Sequence, residues 1–158
     1  MKIKGVHIEG PQERTVVLPR QNGNDLVFKF KAILSMDDFE KICPVPEPKE
    51  RLLPGGIKSY DIESKEYQER LNTWAMQKTR YMYLKSIAAT PDLEWETVDL
   101  SNPDTWGNYE EELIQAGLTE AERLVLLRAY SQVQGLDQSK IDDATNSFLA
   151  VPQVAPKE

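Results

Sequence analysis

Residues 67–86 read YQERLNTWAMQKTRYMYLKS, and this stretch predicts the central helix of the fold. Apolar and aromatic residues recur at helical spacing along one stripe, while Met76 and Tyr83 lie off it, so the apolar face is wide. The helix is expected to run from about residue 64 to 89, because Pro91 disfavours helical geometry just before it. The stripe consists of Tyr67, Leu71, Trp74, Tyr81 and Ala88.

This helix carries more aromatic and sulfur-containing side chains than one helix face can bury. One interpretation is a core helix wrapped by the other helices. The other is that methionine and tyrosine side chains on its less-buried side form an adaptable partner-binding surface. The candidate partner-binding residues are Met76, Tyr81 and Tyr83. Trp74 lies on the stripe and is expected to be core.

The segment before this helix predicts a small antiparallel β module. Asn22-Gly23 is a typical hairpin turn, because Asn-Gly favours positive φ at both central positions. Alternation in the strand that follows places Phe28 and Phe30 toward a core and Lys29 toward solvent. The three expected strands lie in KIKGVHIEG, ERTVVLPR and DLVFKFKAI.

Residues 41–56 read KICPVPEPKERLLPGG, with four prolines and two glycines. This composition predicts a connector without regular structure over residues 44–60. One interpretation is a polyproline-like spacer that holds the β module roughly 15 Å from the helices. The other is a stiff loop packed along the protein's own surface.

The C-terminal part has the clearest helix boundaries. Asn102-Pro103 starts one helix, and Gly117 ends it in the position that tolerates left-handed geometry. Thr119–Glu122 reads TEAE, a capping box for the next helix, whose expected apolar positions are Ala121, Leu124, Val125 and Leu127. Whether LEWETVDL is a strand or a loop stays open. Helices are expected near residues 36–43, 64–89, 103–116, 120–134 and 137–149.

These patterns predict the α+β class, with a small N-terminal antiparallel β module followed by a mainly α-helical body. A chain of 158 residues suits one domain, or one domain with a small appendage. The expected organisation is a β module with a short helix at 1–43, the connector at 44–60, the helical body at 61–150 and a flexible tail at 151–158.

The net charge is −7, and its excess acid lies in one part of the chain. The balance is +2 over residues 1–60, +1 over residues 61–90 and −10 over residues 91–158. Such a field repels phosphate backbones, so direct nucleic-acid binding is not expected. The negative charge of residues 91–158 suits a basic protein partner. The alternative explanation of this charge is that acidic helix surfaces keep the protein soluble.

The sequence predicts neither export nor membrane insertion. MKIKGVHIEG lacks the apolar core of a signal peptide, and no apolar run approaches the roughly 18 residues of a spanning helix. The single cysteine, Cys43, excludes an intrachain disulfide and a multi-cysteine zinc site. It fits a reducing compartment.

No motif points to catalysis, to a cofactor or to a metal. His7 is the one histidine and lies in a predicted strand, whereas a general base needs an orienting partner. Cys43 has no nucleophile signature and resembles a small buried hydrophobe. Asp37 and Asp38 complement the dipole of a short helix. Phosphate-binding loops and the zinc-protease motif are missing from the sequence, so we expect a non-enzymatic protein without cofactors.

Several short segments follow one another in a characteristic order. They are KIKGVHI, TVVLPR, FEKICPVPEP…LPGG, the aromatic helix, WETVDLSNPDTW…EELIQAGLTEAE and LDQSKIDDATNSFL. In this order they resemble the tail assembly chaperones of long-tailed bacteriophages. The resemblance implies a small protein of the host bacterial cytoplasm that keeps the tape measure protein soluble and recruits tail tube protein around it.

Two other function classes stay open at this point. One is a structural virion protein of the tail or connector, in which the β module makes subunit contacts. The other is an acidic regulator that occupies a basic surface on a host protein, motivated by the charge of residues 91–158. Self-association is compatible with all three.

Overall fold

The computed structural model describes residues 2–7, 12–135 and 138–150, and it has the predicted α+β architecture. A 3₁₀ helix, Pro103–Asn108, leads directly into the third α-helix. The strands are β1 (Lys2–Ile3), β2 (Val6–His7), β3 (Glu13–Leu18), β4 (Leu26–Lys31), β5 (Glu50–Leu53) and β6 (Ile57–Tyr60). The helices are α1 (Asp37–Ile42), α2 (Lys65–Ile87), α3 (Tyr109–Gln115), α4 (Glu120–Val133) and α5 (Gln138–Ala150). The described helices therefore lie close to their predicted positions.

The first predicted strand is instead a very small hairpin. β1 and β2 pair antiparallel, with Lys2 opposite His7 and Ile3 opposite Val6. The chain reverses at Lys4 and Gly5, which both have positive φ, and glycine adopts that geometry without strain. A turn at Gly10-Pro11, which this dipeptide predicts between the first two expected strands, and the predicted tail at 151–158 lie outside the described residues.

The β3–β4 hairpin forms as predicted and supplies apolar side chains to the core. Val16 lies opposite Phe28 and Leu18 opposite Leu26 in an antiparallel register. Phe28 and Phe30 are buried. On the other face Lys29 Nζ lies 2.7 Å from Glu13 Oε2. The alternation of this strand therefore gives the predicted inner and outer faces.

The predicted connector contains a regular hairpin, so the expectation of irregular structure over residues 44–60 is wrong for its second half. β5 and β6 pair antiparallel, with Leu53 opposite Ile57. The turn between them is closed by the Gly56 amide, which donates to Leu53 O at 3.1 Å. Gly55 and Gly56 both have positive φ. The proline–glycine cluster thus makes a tight reversal between two strands instead of breaking regular structure.

The first half of the connector packs along α2. Trp74 Nε1 donates to Cys43 O at 3.0 Å, and Arg70 Nη2 donates to Glu47 O at 3.0 Å. The Lys49 ammonium bonds the Glu66 carboxylate at 2.8 Å. These contacts agree with the stiff-loop interpretation and not with a free spacer.

The second half of α2 joins two clusters of buried side chains. Tyr83 and Ile87 belong to a cluster shared with the β3–β4 hairpin, α3 and α4. Tyr81 and Leu84 belong to a second cluster with Phe39 and Trp106. The larger cluster consists of Leu18, Phe28, Phe30, Tyr83, Ile87, Leu113, Leu118, Leu126, Ala129, Tyr130 and Val133. The hairpin and the helical body therefore share one core.

LEWETVDL forms turns and extended loop, with no strand. The carboxylate of Glu112 holds this loop by accepting from the amides of Glu96 at 2.9 Å and Thr97 at 2.7 Å. Trp106 Nε1 donates to Asp99 O at 3.0 Å. The loop is thereby fixed across the start of the α3 region.

Candidate protein-binding surface

Cys43 and Asp38, two candidates for chemistry in the sequence, form bonds to side chains of α2. The Cys43 thiol donates to Gln77 Oε1 at 3.1 Å, and burial raises the pKa of this thiol, which disfavours the reactive thiolate. Asp38 lies in the first turn of α1 and bonds Lys85 at 3.1 Å. His7 lies in β2.

The described ranges contain no group of three or more histidine, cysteine or acidic side chains placed to hold a metal ion. Among the same residues no helix is both long enough and apolar enough to cross a bilayer. The absence of catalytic activity stays a prediction.

Two of the three predicted partner-binding residues are core residues. Tyr81 is 5% exposed and Tyr83 is 4% exposed, so the expectation that they lie on an open helix edge is wrong. Met76, at 48%, is exposed as expected. Trp74, expected to be core, is only partly buried, with its ring centroid 5.9 Å from that of Phe39.

The burial of both tyrosines follows from neighbours on two sides of α2. Tyr81 packs against Trp106 with ring centroids 5.0 Å apart and ring planes tilted by 50°. Tyr83 meets Tyr109 at 4.9 Å and Tyr130 at 5.5 Å. A single apolar stripe on a helix predicts packing against one neighbouring element. The C-terminal half of α2 instead packs against the 3₁₀ helix, α3 and α4.

The best candidate site is an open cavity between α3 and α4, which we call the α3–α4 groove. Its volume is about 240 Å³. Tyr83 forms part of its lining while it belongs to the core. Three apolar side chains that line it are about half exposed: Ile114 at 48%, Leu124 at 55% and Leu127 at 47%. The remaining lining residues are Tyr109, Glu110, Leu113, Glu120 and Arg123.

Local sequence signals fix the junction between the two helices. Gly117 has φ 83°, and the Leu118 amide donates to Leu113 O at 3.0 Å, which is the bonding of a Schellman cap. Thr119 and Glu122 form the predicted capping box at the start of α4. Leu118 is buried between these caps. The walls of the groove are therefore set by a short turn with a helix cap on each side.

The register of α4 leaves Leu124 and Leu127 outside the core. The residues of α4 that are buried are Leu126, Ala129, Tyr130 and Val133, which keep the i, i+3, i+4, i+7 spacing. Leu124, Val125 and Leu127, which the sequence pattern names as apolar positions of this helix, are therefore exposed and do not belong to its buried face. Residues 124–127 read LVLL, and four consecutive apolar residues cannot all face one core. This run is the feature of the sequence from which an apolar surface on α4 could have been expected.

Charged side chains flank the groove. Glu110 lies one helical turn before Ile114, and Glu120 lies one turn before Leu124. The Arg123 guanidinium turns toward the end of α3, where Nη1 donates to Leu118 O at 2.9 Å. Burial, together with the nearby Glu110 charge, raises the pKa of Tyr109 to about 12, so the Tyr109 phenol stays neutral at physiological pH.

A second exposed apolar region is the β5–β6 hairpin. All its strand residues are exposed except Ser59, which is partly buried. One face carries Leu52 and Tyr60, and the other carries Leu53 and Ile57. The α5 helix likewise exposes Ile141.

Comparison with known proteins gives no relative from which a role could be transferred. No protein-family model, curated protein or solved structure matches this chain.

Proposed function

We propose that this protein is a phage tail assembly chaperone that binds the tape measure protein and tail tube subunits in the cytoplasm of the host bacterium. The order of sequence segments that resembles this family motivates the proposal. The structural observation that supports it is the α3–α4 groove, where Ile114, Leu124 and Leu127 stay half exposed on a well-packed body. A chaperone of a hydrophobic client needs such a surface, and contiguous exposed apolar patches often mark protein-binding sites.

The binding role rests on side chains that the fold does not use. Leu124 and Leu127 lie within two residues of the buried Leu126 in sequence, yet they contribute to the surface instead of the core. The acidic character of residues 91–158 keeps such a surface in solution through like-charge repulsion between copies. The proposal therefore predicts binding without catalysis.

Co-expression with the tape measure protein encoded in the same phage genome tests this function. The soluble fraction of the tape measure protein should rise, and the two proteins should co-purify. The variant L124S/L127S should reduce both effects, whereas Val125→Ser serves as the matched control because Val125 is exposed on α4 but does not line the groove. An unchanged soluble fraction with the native protein contradicts the proposal.

A structural virion protein is the second candidate, and the β5–β6 hairpin favours it. A hairpin that exposes apolar residues on both faces and has open strand edges can add to a neighbouring sheet. Mass spectrometry of purified particles separates the two candidates. A tail or connector component is present in finished particles, whereas an assembly chaperone is absent from them.

A further inference from the structure

We infer that the α3–α4 groove binds an amphipathic helix whose apolar stripe is flanked by basic side chains. This inference rests on the proposed chaperone function and names the segment of a client that the groove takes.

The size of the groove favours side chains over a small molecule. Its volume of about 240 Å³ is below the roughly 300–1,000 Å³ of typical small-molecule pockets. It is open along Ile114, Leu124 and Leu127, so apolar side chains from an extended partner can enter from solvent. Leucine-sized side chains at helical spacing fit this kind of surface.

The backbone of the groove walls favours a helix over an extended strand. Both walls are α-helices, whose central amides and carbonyls are already bonded within the helix. A strand bound there would find no open sheet edge to pair with, and its own backbone groups would lose their bonds to water. A helix brings its backbone already satisfied and presents only side chains.

The rim charges specify basic flanks on that helix. Glu110 and Glu120 each lie one turn from an apolar groove residue, and the Arg123 guanidinium is directed to the Leu118 carbonyl. Lysine or arginine placed one turn from an apolar anchor on the bound helix would meet these carboxylates. The wider field has the same sign, because residues 91–158 carry −10.

The same charges disfavour a second copy of this chain as the occupant. The α5 helix exposes Ile141 and Leu149, so α5 of a second copy is the segment of this chain that would be expected to enter the groove. It carries Asp142 and Asp143 against one lysine, so its net charge is acidic like the rim. A basic partner helix avoids this repulsion.

A labelled model peptide tests the inference with the full-length protein. The probe is a fluorescein-labelled helix of roughly 18 residues, since shorter helices are marginal in water, with leucine at i, i+3, i+4 and i+7 and flanking lysines. The matched peptide replaces each lysine by glutamate. Fluorescence anisotropy should show the lysine peptide binding at least about tenfold more tightly than the glutamate peptide.

Variants assign the binding to the groove. The variant L124S/L127S should weaken the lysine peptide at least about tenfold, and Val125→Ser should leave its affinity unchanged. The variant E110Q/E120Q should weaken binding at low salt and flatten its salt dependence. Each variant is expected to fold, because all the substituted side chains are exposed in the native structure. Far-UV circular dichroism checks this.

The inference is overturned if the lysine peptide does not bind, if both peptides bind equally, or if L124S/L127S leaves the affinity unchanged. Self-association in sedimentation velocity that L124S/L127S abolishes also overturns it, because a second copy then fills the groove. If the native protein and L124S/L127S solubilise the tape measure protein equally, the inference fails and the chaperone function stands. If the peptide binds as expected without solubilisation of that client, the function fails and the helix-binding groove stands.

Discussion

Thr90, three residues beyond the end of α2, bonds the backbone of Lys29 in β4 twice. Its Oγ1 accepts from the Lys29 amide at 2.8 Å and donates to the Lys29 carbonyl at 3.1 Å. Further along the same edge, Ser86 Oγ donates to Lys31 O at 2.8 Å, and the Ile33 amide donates to Gln134 Oε1 at 3.0 Å. Side chains at and just beyond the C-terminal ends of α2 and α4 therefore cover a strand edge that would otherwise be open to pairing.

Replacing Thr90 by valine should destabilise the protein by about 1–3 kcal/mol, because the Lys29 amide and carbonyl lose their partner at a nearly buried site. Urea unfolding followed by circular dichroism measures the change. Thr90→Ser keeps the hydroxyl and should retain most of the stability. A valine variant as stable as the native protein would show that these two bonds contribute no net free energy.

Tyr81→Ala should cost about 3–5 kcal/mol, because Tyr81 packs between Trp106 and Phe39 and its removal leaves a cavity. Met76→Ala, at an exposed position of the same helix, should change stability by less than about 0.5 kcal/mol. Thermal and urea unfolding of the pair provide the measurement. Equal losses in both variants would contradict the assignment of Tyr81 to the core and Met76 to the surface.

Gly117→Ala should destabilise the α3–α4 junction by about 1–2 kcal/mol, because φ of 83° places Cβ too close to the backbone in an L-residue. Gly117→Asn should be milder, since asparagine tolerates left-handed geometry. No heavy atom other than the chain neighbours lies within 4 Å of the added Cβ, so the cost comes from the backbone alone. Chemical unfolding of the two variants checks the order, and an alanine variant equal to the native protein would contradict it.

The Arg20–Glu122 pair should make stability depend on pH. The hydrogen bond from Arg20 and the Thr119 amide hold the pKa of Glu122 at about 2, below the ordinary glutamate value. A lowered folded-state pKa stabilises the protein above the unfolded-state pKa of about 4.3, and this contribution is lost as pH falls toward 2.

A double-mutant cycle with Arg20→Gln and Glu122→Gln measures that contribution directly. Glutamine at position 122 still suits the capping box, so the cycle isolates the charge. The coupling free energy should be present at pH 7 and should shrink between about pH 4.3 and pH 2. A coupling of the same size at both ends of that range would contradict the assignment.

Features fixed by neighbours in sequence could be predicted from the residues alone. Pro19 follows the last residue of β3, Gly117 ends α3, and Thr119 with Glu122 caps α4. Each depends on the conformational limits of one residue or on a bond across one helical turn. The same holds for Phe28 and Phe30, whose burial follows from strand alternation.

Features set by distant packing could not be predicted in the same way. Tyr83 is buried because Phe30, Tyr109 and Tyr130 converge on it from three separate elements. Periodicity within α2 holds no information on how many neighbours a helix has. The α3–α4 groove was missed for a related reason, since Leu124 and Leu126 are equally apolar and only the packing of α4 decides which is buried.

The β5–β6 hairpin has a consequence for how this chain tolerates change. Its strand residues are nearly all exposed, and its backbone bonds close within the hairpin itself. Substitutions at Leu52 or Ile57 therefore leave the core untouched, and loop tips of this kind accept insertions readily. The hairpin can therefore change in sequence and length while the body keeps its core and its fold.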